Sequence, residues 1–384
     1  MSKYIKKALL YILTVLAVVS VVQGVKNALL FSQDFQYDAA LALRCGINPY
    51  EESLHPTGIL QTGPTADFYD FFEERGIPQK MEANQFPSLL MLLYPMTLLP
   101  YSTARVLWLI LNLLFTLLSV ILLRKTFCRD MDRDVFSILM LLMVAGTPWR
   151  NQLGVGQHTL FSFFFFLLSV YLSERGKSVL SGLSLSVSYF KYTLTAPLAV
   201  YFIYKKKYRE FIISLIPHAV GTLIAAIILK ASPVDMIKMP LFVSKALTGE
   251  GSIDIGALSG GAEWSMAVAG VIMLGCVIMA LILPEGYDNR FFSLLLLLSL
   301  VMTYHRTYDF FVLAAAASGT CLAEGVKEGR RDRIMAAVYI IIVLFFFFGL
   351  RIFNESRESL IIAAFIFYGY LISYTCMFRR SNNA

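Results

Sequence analysis

Charged residues are scarce in this sequence. They make up 15% of its 384 residues, whereas 57% are hydrophobic and the mean hydropathy is +0.66. Soluble domains carry about a quarter charged residues, so the composition excludes an ordinary soluble protein and indicates one embedded in a membrane. The net charge of +7 is explained by basic loops at one membrane face, and we expect no nucleic-acid partner.

Cysteine and cofactor motifs are also sparse. The five cysteines are scattered along the chain, at Cys45, Cys128, Cys276, Cys321 and Cys376. An odd number without a Cys-x-x-Cys spacing argues against a disulfide framework and against a zinc site. The pair Asp130 and Asp132 has the spacing of a metal-binding Asp-x-Asp motif, but it lies among arginines in a short basic loop and is interpreted as solvated charge. We predict no metal and no cofactor.

What the sequence has in abundance is apolar runs of spanning length. Lipid hydrocarbon about 30 Å thick is crossed by roughly 20 apolar residues. We therefore predict an all-α fold, a polytopic transmembrane helical bundle with about 11–13 membrane segments, in a single domain over 1–384. The predicted spans are 8–30, 102–123, 135–148, 158–173, 179–204, 211–230, 264–283, 291–304, 309–323, 334–350 and 359–377. The run 87–100 is too short for a full crossing and is interpreted as a re-entrant or tilted short helix. The run 179–204 is predicted to break near YFKYT, residues 189–193, and Pro197, as one kinked helix or two short ones.

The charges sort the loops onto two faces. If the N-terminus is cytoplasmic, the loops 124–134, 174–177, 205–210, 284–290 and 324–333 and both chain ends sum to +10, and the remainder sums to −3. Such asymmetry follows the positive-inside tendency. The two largest loops, 31–86 and 231–263, then lie outside, and the first of them is a long extracytoplasmic loop.

Polar residues cluster on this predicted outer face. They are Asp34 and Asp38, the stretch Trp149–His158, Lys191, and Tyr304–Asp309. An ionisable group at membrane depth costs about 2.5–3.5 kcal/mol on insertion scales, which makes these residues functional candidates. The alternative is that they only cap helix ends at the level of the lipid headgroups.

Two acids open the first loop, four residues apart. If the loop begins with a helical turn, Asp34 and Asp38 share one face. They are then able to divide the roles of general base and orienting group. Helix capping alone is the competing interpretation, because acids favour helix N-termini.

Four stretches, in order along the chain, resemble glycosyltransferase family 87, whose members have the GT-C membrane fold. The first, QDFQYDAALALRCGINPYEE, contains Gly-x-Asn-Pro-Tyr. The others are FPSLLMLLYPMTLLPYSTARVLWLILN, the stretch from GQHTLFSF to SYFKYTLTAPL, and YHRTYDFFVL. The chain departs from the family pattern at Phe86 and Ser88, which replace the first and last residues of a Tyr-Pro-Pro motif. It also has His158-Thr159 where an asparagine is expected.

The resemblance implies an inverting transfer of a sugar, mannose or similar, from a polyprenyl-phosphate donor to a glycolipid or glycan acceptor. It implies the multi-pass environment of a bacterial cytoplasmic membrane, with membrane lipids around the protein and an extracytoplasmic active site. The acceptor hydroxyl needs a base, and the phosphate leaving group needs positive charge.

The same resemblance implies roles for individual residues. Asp34 is the expected general base, and Asp38 the group that orients the acceptor or Asp34. The donor phosphate is expected to bind His305, Arg306 and Lys191. Sugar or acceptor contacts are expected from Gln157, His158, Asp309, Asn48 and Tyr50, where Asp309 is alternatively an anchor for Arg306.

Other interpretations stay open at this stage. The alternative for Lys191 is snorkelling to the interface, and the alternative for Arg306 with Asp309 is an i, i+3 ion pair. A transporter or flippase of a lipid-linked sugar is the main alternative function, since transporters also use broken helices. A structural membrane subunit without chemistry is the second.

Overall fold

The computed structural model describes residues 3–32, 35–53, 66–77, 83–246, 252–322 and 330–380. Within these ranges every regular element is helical, as predicted. The α-helices are α1 (Lys3–Phe31), α2 (Tyr37–Arg44), α3 (Pro49–Ser53), α4 (Ala66–Glu73), α5 (Pro87–Leu92), α6 (Tyr101–Lys125), α7 (Arg133–Ala145), α8 (Thr147–Val155), α9 (Thr159–Glu174), α10 (Ser178–Ser188), α11 (Tyr192–Tyr204), α12 (Tyr208–Leu229), α13 (Pro233–Ala246), α14 (Ile255–Leu258), α15 (Trp264–Ile282), α16 (Asp288–Met302), α17 (Leu313–Ala316), α18 (Arg330–Leu344), α19 (Leu350–Ile352) and α20 (Arg357–Arg380). Turns of 3₁₀-helix cover Met96–Leu98, Tyr189–Lys191, Thr307–Val312 and Ala317–Gly319, and a π-helical turn covers Phe345–Gly349.

In the described part of the chain, six helices are long and apolar enough to cross a membrane. They are Tyr4–Phe31, Tyr101–Lys125, Tyr208–Leu229, Trp264–Ile282, Arg331–Ile352 and Arg357–Cys376. A seventh crossing arises if α8 and α9, which meet at 105°, count as one bent span. The protein is a polytopic helical membrane bundle. The predicted total of 11–13 segments stays a prediction, because the remaining helices are shorter than a span.

The two segments expected to be irregular are irregular. The run 179–204 divides into α10 and α11 at the Tyr189–Lys191 turn, which confirms the break expected near YFKYT, whereas Pro197 lies inside α11. Helix α5 is six residues long, or about 9 Å at 1.5 Å per residue. It packs against α12 at Gly221, where a Cβ added to the glycine would overlap Ser88 of α5.

The predicted span 309–323 is not one helix. It consists of the Thr307–Val312 turn, α17 and the Ala317–Gly319 turn, and residues 310–317 are buried. A Cβ at Gly319 would overlap the backbone of Asn289, so the chain approaches the start of α16 more closely than a regular helix with side chains would. These residues are therefore buried by close packing against neighbouring segments, and they do not form the continuous membrane helix that the hydropathy predicted.

Two long helices connect opposite ends of the bundle. Near its start, α1 pairs Lys6 with Asp134 at 3.0 Å. At the other end of α1, the carbonyl of Ser32 accepts a hydrogen bond from Tyr101 at the start of α6 (2.9 Å). Helix α6 is about 37 Å long at 1.5 Å per residue and ends beside the loop 124–134. The loops assigned to one face by charge meet at that end: Arg129 pairs with Glu174, and Lys205 with Asp288.

Candidate active site

A polar cavity of about 620 Å³ lies at the opposite end of the bundle. Its walls come from the end of α1, the segment before α5, the α8–α9 turn, the Tyr189–Lys191 turn, α13, and the loops around Tyr304–Tyr308 and Glu355. The described ionisable side chains in its lining are His158, Lys191, Arg306 and Glu355, with the tyrosines 192, 304 and 308. Neutral amides and hydroxyls supply most of the other polar contacts: Asn27, Asn84, Gln85, Asn151, Gln157, Thr193, Ser244 and Thr307.

A buried carboxylate lies immediately behind the cavity wall. Asp309 is completely buried, and its Oδ2 lies 3.5 Å from Nζ of Lys191 and 2.9 Å from Nδ1 of His305. Its Oδ1 accepts a hydrogen bond from the hydroxyl of Thr159. An ionised carboxylate only accepts hydrogen bonds, so Nδ1 of His305 carries the proton in this contact. Three chain segments thus converge on Asp309.

Lys191 is the member of this network that reaches the cavity. Its side chain is 14% exposed, whereas Asp309 is fully enclosed. The 3₁₀ turn Tyr189–Lys191 ends at this residue, and Nζ also lies 5.8 Å from the centre of the Tyr308 ring. A buried cation is stable only when it is paired and hydrogen-bonded. Asp309 is therefore the partner of Lys191, rather than a surface carboxylate free to bind a ligand.

His305 is placed with Asp309 and not in the cavity lining. Its side chain is fully buried, and Nε2 has no hydrogen-bond partner among the described residues. Its backbone carbonyl accepts a hydrogen bond from Ser252 (2.6 Å). The next residue, Arg306, does line the cavity and donates from Nε to the hydroxyl of Tyr304 at 2.6 Å.

Gln157 and His158 lie at the sharp turn between α8 and α9 and line the cavity. The ring of His158 is buried against Phe190, with ring centres 4.5 Å apart, and lies 6.0 Å from the Trp108 ring. Gly156 makes the turn possible, with a left-handed φ of 77° and no room for a Cβ beside Ser32. The turn therefore presents two polar side chains to the cavity from within an apolar stretch.

Asp34 lies outside the described residues. Its described neighbours are Ser32, whose hydroxyl reaches the carbonyl of Val155 at 3.4 Å, and the fully buried Phe35, whose ring stacks on Trp108 at 5.8 Å. Val155 belongs to the cavity wall. Asp38 is buried in the first turn of α2, where its Oδ1 accepts from the N–H of Ala39 (2.9 Å), and it is not among the cavity-lining residues.

Asn48 and Tyr50 have structural contacts and do not line the cavity. Oδ1 of Asn48 accepts from the N–H groups of Tyr50 (3.1 Å) and Glu51 (3.3 Å), which is an N-cap of α3. The buried hydroxyl of Tyr50 donates to the carbonyl of Gln85 at 2.6 Å. Gln85 does line the cavity, so this motif positions a wall of the site from behind.

Some cavity residues were not expected from the sequence. Glu355 is the clearest, along with the amides Asn27, Asn84 and Gln85. Thr159, which donates a hydrogen bond to Asp309 behind the cavity wall, was not expected either. The sequence contains a feature that could have pointed to Glu355. The residue falls in FNESRES, a short polar break between the last two apolar runs. Asn27 lies near the end of the first span, next to Lys26 and four residues after Gln23, and only packing reveals which side of α1 it faces.

The described residues contain no group of three or more His, Cys, Asp or Glu side chains arranged to hold a metal ion. Asp132 is the N-cap of α7, accepting from the N–H groups of Asp134 (3.0 Å) and Val135 (3.1 Å). The hydrogen bond from Val135 lowers the pKa of this carboxyl below its ordinary value. The Asp-x-Asp spacing is thus explained by helix capping.

Comparison with known proteins decides the family. The model of glycosyltransferase family 87 matches residues 87–307, more than half of the chain. The chain belongs to glycosyltransferase family 87. No curated protein and no solved structure matches it. It is therefore a membrane glycosyltransferase, with a sugar donor and an acceptor as its substrates.

The matched segment of this glycosyltransferase contains most of the cavity wall, including Gln157, His158, Lys191 and Arg306. Ser88, one of the departures from the family pattern, makes a hydrogen bond of its own. Oγ of Ser88 lies 2.7 Å from Nδ1 of His218, whose Nε2 lies 3.1 Å from Oγ of Ser186. His218, which is partly buried in α12, thus has a hydrogen-bond partner at each ring nitrogen.

Proposed function

We propose that this family 87 enzyme transfers a sugar, mannose or a similar one, from a polyprenyl-phosphate donor to a glycolipid or glycan acceptor with inversion at the anomeric carbon. The reaction takes place at the outer face of the bacterial cytoplasmic membrane. The observation that carries the proposal is the pair of cations, Lys191 and Arg306, in a polar cavity within a membrane bundle.

The two cations suit a phosphate leaving group. Arginine meets phosphate oxygens with a planar fork of donors, and lysine acts as a compact charge. Asp309 and Thr159 hold the Lys191 side chain from behind, so little of its conformational entropy remains to be lost on binding. His305 acts through Asp309 in this arrangement, as a positioning residue.

The base in the proposed reaction is Asp34, which takes the proton of the acceptor hydroxyl as that oxygen attacks the anomeric carbon. The carbon–oxygen bond to the phosphate breaks as the new glycosidic bond forms, and the electron pair leaves with the phosphate. Support comes from the described neighbours of Asp34 in the chain, since Ser32 contacts the cavity wall at Val155.

The sugar hydroxyls are proposed to meet the neutral part of the cavity. Gln157 and His158 offer an amide and an imidazole there, and Tyr304 and Thr193 offer hydroxyls. Sugars are recognised by such groups because each hydroxyl both donates and accepts hydrogen bonds. No cofactor is needed, because the lipid-linked donor already carries the leaving group.

The test is a transfer assay with the purified protein in nanodiscs, using polyprenyl-phosphate mannose and a panel of glycolipid acceptors. Asp34→Asn should reduce the rate at least about 10²-fold, since a general base contributes about 10²–10⁴-fold. Asp70→Asn, at an exposed acid of α4, is the matched control and should retain full activity.

Two outcomes would contradict the proposal. Undiminished transfer by Asp34→Asn would remove Asp34 from the chemistry. Failure of the wild type to transfer any lipid-linked sugar, while moving the labelled donor across liposome membranes, would favour a flippase.

A further inference from the structure

Glu355 contributes a carboxylate to the cavity from the C-terminal part of the chain. Among the described lining residues it is the only acidic one. It lies in the loop between α19 and α20, C-terminal to the segment that the family model matches. The roles proposed above leave it without a function.

The carboxylate is held at one oxygen and open at the other. Oγ1 of Thr307 donates to Oε2 at 3.2 Å. Within the described part of the chain, Thr307 is the one hydrogen-bond partner of this carboxylate, which leaves Oε1 available to a ligand. Thr307 is itself a cavity residue and follows Arg306.

The backbone around Glu355 is unusual. Asn354 and Glu355 have consecutive left-handed conformations, with φ of 53° and 51°. The N–H of Glu355 donates to the carbonyl of Leu350 at 2.8 Å, which closes the end of α19. Helix ends commonly need one left-handed residue, usually glycine or asparagine, and Asn354 satisfies that need. A glutamate in the second position is strained, because its Cβ crowds the backbone in the left-handed conformation.

The loop is also fixed on its other side. The hydroxyl of Ser356 accepts from the N–H of Ser359 at 3.3 Å at the start of α20. Glu355 thus lies between two capped helix ends, and its carboxylate is placed before any ligand arrives. A left-handed glutamate that is kept in a loop at a cavity wall points to a function for the side chain.

The chemistry of the cavity limits what this side chain can bind. A carboxylate repels phosphate, so Glu355 does not hold the leaving group. It accepts hydrogen bonds only, and its charge makes those bonds roughly twice as strong as neutral ones. Two adjacent hydroxyls of a sugar ring are a matching donor pair, because apart from Lys191, Arg306 and His158 the other polar groups of the cavity are neutral amides and hydroxyls.

We propose that Glu355 binds neighbouring hydroxyls of a substrate sugar ring and thereby contributes to sugar selection. This inference rests on the proposed function, because it assigns the cavity to sugar substrates. The sugar could be the one on the donor or the one on the acceptor, and both offer the same hydroxyl chemistry.

The experiment measures binding separately from transfer. Wild type and Glu355→Gln in nanodiscs are titrated with methyl α-D-mannopyranoside, its single-deoxy analogues and polyprenyl-phosphate mannose, with Kd taken from the shift in the unfolding midpoint. Glutamine keeps an acceptor oxygen but loses the charge, so its hydrogen bonds to the sugar fall to roughly half their strength and binding should weaken about tenfold. The deoxy analogue that lacks the contacted hydroxyl should bind both proteins with similar affinity.

Two variants control for the fold. Glu358→Gln changes an exposed acid three residues away and should leave every Kd unchanged. Glu355→Gly removes the side chain and relieves the left-handed strain, so it should bind sugar as weakly as Glu355→Gln without a lower unfolding midpoint.

The two ligands separate the two sources of the sugar. A loss confined to the methyl glycoside assigns Glu355 to the acceptor, and a loss confined to the lipid-linked ligand assigns it to the donor. Equal affinities of wild type and Glu355→Gln for every ligand, or no binding of any of them by the wild type, would overturn the proposal. A wild type that binds these sugars but transfers none would overturn the proposed reaction and leave the role of Glu355 supported.

Discussion

At the scale of single residues, the network around Asp309 is the clearest feature of the site. One buried carboxylate contacts Lys191, His305 and Thr159, which come from three separate parts of the chain. Because Asp309 is fully enclosed, water cannot replace Lys191 as its partner, whereas Lys191 itself is 14% exposed where it lines the cavity. The pair stabilises the protein only when both members are present, because removal of one member leaves an uncompensated buried charge.

This network predicts that removing one member of the pair destabilises the protein more than removing both. Asp309→Asn should lower the free energy of unfolding by about 3 kcal/mol and raise the KM for the donor, because breaking a buried pair costs roughly 3–5 kcal/mol. The double variant Asp309→Asn, Lys191→Met should recover part of that stability but not the activity. Chemical unfolding in a mild detergent and steady-state kinetics would measure both effects.

The matched control is the Lys205–Asp288 pair at the other end of the bundle, where both side chains are about one-third exposed. Breaking an exposed pair costs about 1 kcal/mol or less. Equal losses of stability for the two pairs would contradict the claim that Asp309 and Lys191 act as a buried unit.

At the scale of elements, the site is built where helices break. The α8–α9 turn presents Gln157 and His158, and the turn between α10 and α11 presents Lys191. The carbonyl of Gly156 accepts a hydrogen bond from Nε1 of Trp108 at 2.8 Å. Interrupted helices leave backbone groups unpaired, which membrane proteins tolerate where the break lines a cavity or is buried in protein.

Gly156 provides a test of this arrangement. Gly156→Ala adds a Cβ that overlaps Oγ of Ser32 at a left-handed φ of 77°, so it should destabilise the protein by about 2 kcal/mol or more. Gly176→Ala, at φ 73° with open space around it, should cost only the left-handed term of about 1–2 kcal/mol. The measurement is the thermal unfolding midpoint and the Kd for the donor, compared among the wild type and the two glycine variants.

Adding Ser32→Ala to Gly156→Ala should restore part of the loss, because it removes the overlapping oxygen. If the two glycine variants behaved alike, close packing under the turn would not be what requires Gly156.

At the scale of the whole molecule, the bundle has two chemically different ends. One end carries the paired charges Arg129–Glu174 and Lys205–Asp288, and the other carries the cavity. Helices α1 and α6 extend between them. The positive-inside tendency places the basic end in the cytoplasm, so the cavity is expected outside, near the lipid headgroups.

Cysteine labelling tests this orientation. In a background with the exposed Cys45 and Cys376 replaced by serine, Glu74→Cys should react with a membrane-impermeant maleimide in intact cells. Lys206→Cys should react only after the membrane is opened. Both positions are exposed, so unequal access reflects the side of the membrane. The reverse pattern would place the cavity in the cytoplasm.

Much of this architecture follows from local sequence patterns. Apolar runs predicted the helices, and charge bias predicted which loops meet, as the Arg129–Glu174 and Lys205–Asp288 pairs confirm. The break before α11 was predicted near YFKYT and Pro197, and it lies at the first of these, Tyr189–Lys191. The region 309–323 was misjudged as a helix, because hydropathy measures burial and does not distinguish a membrane span from densely packed short turns.

The sequence by itself determined that this is an all-α membrane protein. The free energy of inserting a helix into a membrane depends mainly on its composition and length, and both can be read from the sequence. It also marked most of the polar residues that line the cavity, since each is costly within an apolar stretch. Only the tertiary structure decided their partners. It paired Lys191 with Asp309, placed His305 behind the wall, and brought Glu355 to the cavity from beyond the matched segment. Those outcomes depend on contacts between residues far apart in the chain, which no local pattern records.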